Sequence, residues 1–159
     1  MSEPRMKSDE RLVVLGGSFD GSAEVIACLA GLAKDGGFVE DLFIRKVQER
    51  ETEFPTGLAM PVPLAIPHIS DGCIVPFVSI ATLASPVVFK SMDLSGDDVF
   101  ARIVFLFGIL DPKSQVAVLQ KFARTFANGG NVEKLLGSCT PGALLRELND
   151  ILDGLLDVG

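Results

Sequence analysis

The stretch FPTGLAMPVPLAIPHIS, from Phe54 to Ser70, constrains the fold more than any other part of the chain. It holds Pro55, Pro61, Pro63 and Pro67, no charged residue, and the only histidine, His68. Each proline lacks a backbone donor, fixes its own φ, and restricts the residue before it. The segment therefore reads as neither a helix nor a buried strand. It is expected to be a stiff, extended connection that separates the regular elements on either side. Pro67 disfavours the α conformation at Ile66, so His68 is presented from an extended run.

Upstream, residues 1–9 read as a flexible polar arm. Arg11 to Leu15 is predicted as a first strand, ended by Gly16 and Gly17. Ser22 is the expected N-cap of a helix over about 23–34, with Val25, Cys28, Leu29 and Leu32 on one face. A second helix is expected from Val39 to about Glu51, burying Val39, Leu42, Phe43 and Val47. Downstream, Ile74 to Leu83 and Val87 to Phe89 read as two strands joined by a turn at Ser85-Pro86. Ala101 to Leu110 (ARIVFLFGIL) is the strongest buried strand. A helix follows over about 113–127, with Val116, Leu119, Phe122 and Phe126 in register and Asn128-Gly129-Gly130 as its stop. A short helix over about 132–136 and a last one capped by Thr140, with Pro141 in its first turn, complete the chain. Helices on both ends of a strand cluster predict an α/β fold: a three-layer α/β/α sandwich around a mixed β-sheet, one domain over residues 10–159.

With 159 residues, 48% of them hydrophobic and 22% charged, the chain can bury one substantial core. A formal net charge of -7 disfavours nucleic acid as a partner and complements a basic protein surface. Cys28, Cys73 and Cys139 are odd in number and far apart, which gives no metal spacing and no disulfide framework. They fit a reduced, intracellular protein. The N-terminus MSEPRMKSDER is polar throughout and carries no signal-peptide pattern. The uncharged stretch Gly72 to Phe89 contains Pro76 and Pro86 and reads as strands, not as a bilayer helix. A cytoplasmic protein without direct membrane insertion is expected.

Several chemistries are disfavoured by pattern. VLGGSFDG follows a strand and precedes a helix, but no register of it satisfies the dinucleotide GxGxxG. A single histidine does not make a His-rich zinc site, and the carboxylates lack the calcium-loop pattern, so no metal and no cofactor are expected. There is no GxSxG elbow. Cys73 has no activating neighbour in the sequence and reads as a buried strand-end residue.

His68 remains. A lone histidine is most often a structural or surface residue. Its neighbours here supply a kit for phosphoryl transfer. A neutral imidazole, with an ordinary pKa of about 6.5, is a good nucleophile near neutrality. Charge develops on the equatorial oxygens of the transferring group, which calls for a guanidinium and hydroxyl or amide donors. Arg50 and Glu51 end the preceding helix, Thr56 and Ser70 carry hydroxyls, and Gly57 frees the backbone. An exposed site of this kind needs an apolar collar for a docking protein. Phe54, Leu58, Met60 and Ile69 supply either that collar or part of the core.

These motifs match a known pattern. RETEFPTGL, Arg50 to Leu58, followed by LAIPH, Leu64 to His68, resembles the enzyme IIA components of the bacterial sugar phosphotransferase system. The resemblance is to the mannitol/fructose superfamily, and within it closest to galactitol-type IIA proteins. It covers about residues 10–153 and includes the SAEVIACLAGLAKDGGFVEDLFIRKVQERE helix pair and the LDPKSQVAVLQKFARTF junction. It implies an α/β/α sandwich with a mixed sheet. It implies that His68 takes a phosphoryl group on Nε2 from the phosphocarrier HPr and passes it to a cysteine of a cognate IIB protein, which works with a membrane IIC. Arg50 would neutralise the phosphoryl oxygens, and Thr56 and Gly57 would line the pocket. Many mannitol- and fructose-type members carry a second histidine where this chain has Gln115; galactitol-type members tolerate glutamine there. An amide hydrogen-bonds but carries no charge, so charge stabilisation would rest more on Arg50. The same resemblance admits a regulatory module, in which phosphorylation of His68 controls a binding partner and feeds no transporter.

Overall fold

The run ARIVFLFG forms the spine of the molecule. It lies in β7 (Asp98–Gly108), which pairs antiparallel with β6 (Phe77–Lys90). The computed structural model describes residues 5–158. Residues 77–82 and 103–108 are buried without alternation, as in central strands covered on both faces. The sheet runs β3 (Gly57–Leu58), β4 (Leu64–Ala65), β7, β6, β1 (Met6–Ser8), β8 (Leu156–Val158). In addition β2 (Val13–Gly17) pairs with β6, and β5 (His68–Ile69) with β7. The sheet is mixed: β1 and β2 run parallel to β6, and β4 and β5 run parallel to β7.

The period of two sends alternate side chains into two cores. Val78, Ile80, Ile103, Phe105 and Phe107 face α3 (Pro112–Phe126), α4 (Gly129–Leu136) and α5 (Pro141–Ile151). There Phe105 and Phe107 meet Phe122 edge-on, at centroid distances of 5.2 and 4.6 Å. Phe77, Ala81, Val104 and Leu106 face α1 (Ser22–Asp35) and α2 (Asp41–Glu53). The sheet is thus sandwiched between helical layers, as expected.

Several elements differ from the sequence reading. The expected arm contains β1: Met6 is fully buried, and the Ser8 hydroxyl donates to the Val78 carbonyl at 2.9 Å. Only Lys7 of that strand faces out, which explains its polar appearance. Residues 1–4 of the arm lie outside the described residues. Glu10–Leu12 is a 3-10 turn capped by Asp9, so the first expected strand begins at Val13. Gly21, not Ser22, is the N-cap of α1. Val39 precedes α2 and bridges to Cys73, and Leu42 is exposed. The two strands expected around Ser85-Pro86 are one strand, β6. Pro86 falls where the register with β7 shifts, between Thr82 and Val87, so its missing donor breaks no ladder bond. Ala127 is the C-cap of α3, and Asn128 is the N-cap of α4, accepting from Gly130 N at 2.9 Å. Thr140 caps α5 as expected, accepting from Ala143 N at 3.1 Å.

Candidate functional site

The proline-rich segment is an edge strand after all. Its pairing with β7 keeps one continuous parallel register, from Leu64↔Ile103 and Ala65↔Val104 to His68↔Phe107 and Ile69↔Gly108. The ladder breaks only at Ile66-Pro67, because Pro67 has no N–H to give. Its carbonyl still accepts from Phe107 N at 2.9 Å. Prolines are tolerated here because only the two residues of β3 cover the outer side of the strand.

His68 is therefore held in, not held out. It is 5% exposed and forms the floor of a cleft, which corrects the expectation of a projecting side chain. Its Nδ1 lies 2.8 Å from the Ile66 carbonyl oxygen. A carbonyl only accepts, so Nδ1 carries the proton and Nε2 of the neutral ring keeps its lone pair. Burial pushes the His68 pKa below its ordinary value; the bond to Ile66 opposes this and the nearby Arg50 charge reinforces it. The ring is neutral at pH 7.

The cleft has a volume of about 290 Å³. Arg50, Phe54, Pro55 and Thr56 form one wall, from the last turn of α2 and the loop after it. Met92 and Leu94, from the β6–β7 connection, and Leu119 of α3 form the other. The Arg50 guanidinium stands 4.9 Å from the centre of the Phe54 ring. Its Nε is buried with no acceptor, the one such side-chain nitrogen or oxygen among the described residues. A buried, unpaired donor of this kind calls for an explanation. Beside it, the carboxylate of Glu51 is buried and grips Thr56 at two points: Oε2 accepts from Thr56 N and Oε1 from Thr56 Oγ1, each at 2.8 Å. Burial pushes the Glu51 pKa up to about 7, against the pull of the Thr56 bonds and of Arg50.

The structure thus brings His68, Arg50 and Thr56 together, although the Thr56 hydroxyl is committed to Glu51. Gly57 does not line the cleft. A Cβ there would lie 2.7 Å from the Lys90 carbonyl oxygen, so the glycine serves the close approach of β3 to the β6–β7 hairpin. Ser70 is exposed beyond β5, and its carbonyl accepts from Cys73 N. Gln115 lies one helical turn before Leu119 on α3, outside the cleft lining. Of the expected collar, only Phe54, 44% exposed, stands at the rim. Leu58 and Met60 pack on the core beneath α3–α5, and Ile69 packs on the core beneath α1 and α2. Met92, Leu94 and Leu119 escaped the sequence reading because only long-range pairing brings them to the histidine. Glu51 had a local signal: a helix-end carboxylate five residues before the threonine of a charge-free loop.

Other chemistries find no support in the geometry. The Cys73 thiol donates to the Val75 carbonyl at 3.1 Å, and burial pushes its pKa to about 11, so it is a thiol and not a thiolate. Among the described residues, no three His, Cys, Asp or Glu side chains are grouped to hold a metal, and no helix is long and apolar enough to cross a membrane.

No curated protein matches the sequence. The family described as phosphoenolpyruvate-dependent sugar phosphotransferase system, EIIA 2, matches residues 7–151. Solved structures share the fold. IIA mannitol from Escherichia coli is 20% identical, with coverage of 89% of this chain and 96% of that one and a TM-score of 0.70. The same enzyme in complex with phosphorylated mannitol IIB gives 20% identity, coverage of 91% and 95%, and a TM-score of 0.71. Nitrogen regulatory protein IIA-Ntr from Neisseria meningitidis gives 17% identity, coverage of 92% and 96%, and a TM-score of 0.71. With the family matched along nearly the whole chain and the fold shared, the protein belongs to the EIIA 2 family of the phosphoenolpyruvate-dependent sugar phosphotransferase system.

Proposed function

We propose that the protein is a phosphocarrier that bears a phosphoryl group on Nε2 of His68. The group comes from the phosphohistidine of HPr and goes to a cysteine of a cognate IIB protein, for uptake through IIC of a sugar or sugar alcohol of the galactitol type. The observation that carries this reading is the Nδ1 bond to the Ile66 carbonyl, which leaves Nε2 as the nucleophilic nitrogen of a neutral ring. In the first step the Nε2 lone pair attacks phosphorus, an N–P bond forms, and the donor's N–P bond breaks, returning its electron pair to the donor imidazole. In the second step a cysteine thiolate attacks phosphorus and the His68 N–P bond breaks. Neither step needs a metal or an added cofactor. Arg50 supports the reading, because a phosphoryl oxygen is the kind of acceptor its unpaired Nε lacks. Phe54 and the exposed Leu94 at the rim offer apolar surface to a docking protein. The E. coli mannitol relative is known in complex with its phosphorylated IIB.

A regulatory role is the second reading, favoured by the fold likeness to the Neisseria nitrogen regulatory protein. The chemistry at His68 is the same; only the fate of the phosphoryl group differs. Incubation with phosphoenolpyruvate, enzyme I and HPr tests both. An acid-labile, alkali-stable label is expected on the wild-type protein and absent from folded His68→Gln; equal labelling of that variant overturns the assignment. Discharge of the label by a IIB protein marks the transport role, and retention with altered partner binding marks the regulatory one.

A further inference from the structure

We infer that Glu51 is a positioning residue that sets the ring of His68 through a chain of hydrogen bonds running over Thr56 and Ile66. It rests on the reading of His68 as the phosphoryl acceptor. Glu51 accepts from both the amide and the hydroxyl of Thr56, at 2.8 Å each. The Thr56 carbonyl accepts from Ile66 N at 3.2 Å. The Ile66 carbonyl accepts from His68 Nδ1 at 2.8 Å. Three links thus join the last turn of α2 to the reactive ring. The Glu51, Thr56, Ile66 and His68 residues are all buried.

A buried carboxylate is an expensive way to hold a loop. Its placement is accounted for by what it connects. Glu51 follows Arg50 in the same turn, so the chain locks the guanidinium and the imidazole into one frame across the cleft. The last link also sets chemistry as well as position: the Ile66 carbonyl selects the Nδ1–H tautomer, and with it Nε2 as the nitrogen that reacts. Displacement of Thr56 moves Ile66 and weakens that selection.

The state of the carboxylate matters to the chain. Ionised, Glu51 accepts from both Thr56 donors. Protonated, it must donate from one oxygen, and the Thr56 hydroxyl must reverse to receive that proton. The charged group facing Glu51 from its own helix is Arg50. Lys90 of β6 shares a second, smaller cleft with Glu51, Gln48 and Thr52, and is itself paired with Asp98. The Thr56 end of the chain therefore changes its hydrogen bonding near neutral pH.

Two measurements test this, one of which does not use phosphate. Nitrogen-15 NMR of the His68 ring in the unphosphorylated protein reads the tautomer directly. Wild type is expected in the Nδ1–H form; Glu51→Ala and Thr56→Val are expected to show mixed tautomers. Label uptake from phospho-HPr is then expected to fall roughly ten- to a hundredfold in Glu51→Ala. Glu51→Gln retains the shape of the clamp, so it should lose less than Glu51→Ala and lose the wild-type pH dependence between about pH 6 and 8. If Glu51→Ala does not fold, Thr56→Val decides. A wild-type tautomer in folded variants overturns the inference, whatever their transfer rates. Absence of label on the wild-type protein overturns the phosphocarrier reading alone, because the NMR result still decides the role of Glu51.

Discussion

At the scale of single residues, two buried titrating groups share one site and pull stability in opposite directions with pH. His68 has a lowered pKa, so the unfolded chain binds a proton more readily. Its contribution is present above 6.5 and is lost as pH falls through the lowered folded value. Glu51 has a pKa raised from 4.5 to about 7, so the folded chain binds the proton more readily. Its contribution is present below 4.5 and is lost as pH rises through about 7, a change of at most about 3 kcal/mol at 1.36 kcal/mol per unit. Urea melts across this window should show a steeper rise of stability with pH in Glu51→Gln than in wild type. A steeper fall is expected in His68→Gln. Parallel curves for wild type and Glu51→Gln would show that Glu51 does not titrate there. That His68 and Arg50 face one cleft was legible in the sequence, because their residue types and their order around a short uncharged loop pointed to a shared site. The Glu51–Thr56 clamp was not, because it depends on α2 running on to Glu53 before Phe54 N closes back on the Arg50 carbonyl. Gly57 was legible as part of a motif, yet its physical reason, the Lys90 carbonyl under its missing Cβ, lies in a distant hairpin.

At the scale of elements, the β6–β7 connection stands out. Leu94 adopts φ +63° and is 64% exposed while lining the cleft. A left-handed conformation costs a residue with a Cβ about 1 kcal/mol, and a leucine in it gains nothing from burial here. Leu94→Gly should leave stability unchanged or raise it by up to about 1 kcal/mol, while weakening the encounter with a phosphorylated donor protein. Denaturant melts and titration with HPr check the two halves; a destabilised variant that binds as before would place the leucine in the service of the fold. The long strands and the helices were readable from their periodicity. The two-residue strands β3, β4 and β5 were not, because two residues show no alternation and prolines argue against pairing. The register of β4 and β5 is dictated by β7, and that of β3 by its antiparallel pairing with β4.

At the scale of the whole molecule, the sheet divides two cores, and the cleft over His68 lies toward its β3–β5 edge. Leu148 of α5 is fully buried beneath the sheet and does not line the cleft. Leu148→Ala should cost about 2–5 kcal/mol in a urea melt and leave label uptake by the folded protein at its wild-type rate. A slowed rate at full folding would mean that the two regions are coupled through α3. The three-layer arrangement was legible because helices flank the strands in chain order. The short strand at each end was not: β1 hides a buried methionine among charges, and β8 follows a helix after only four residues. Those two strands lie side by side, Lys7 opposite Asp157, at the edge of the sheet away from β3. A tether, label or fused module attached at either end would therefore hold the protein by the edge opposite the His68 cleft. A surface-anchored or circularly permuted version, joined through a short linker between β8 and β1, would present the cleft outward.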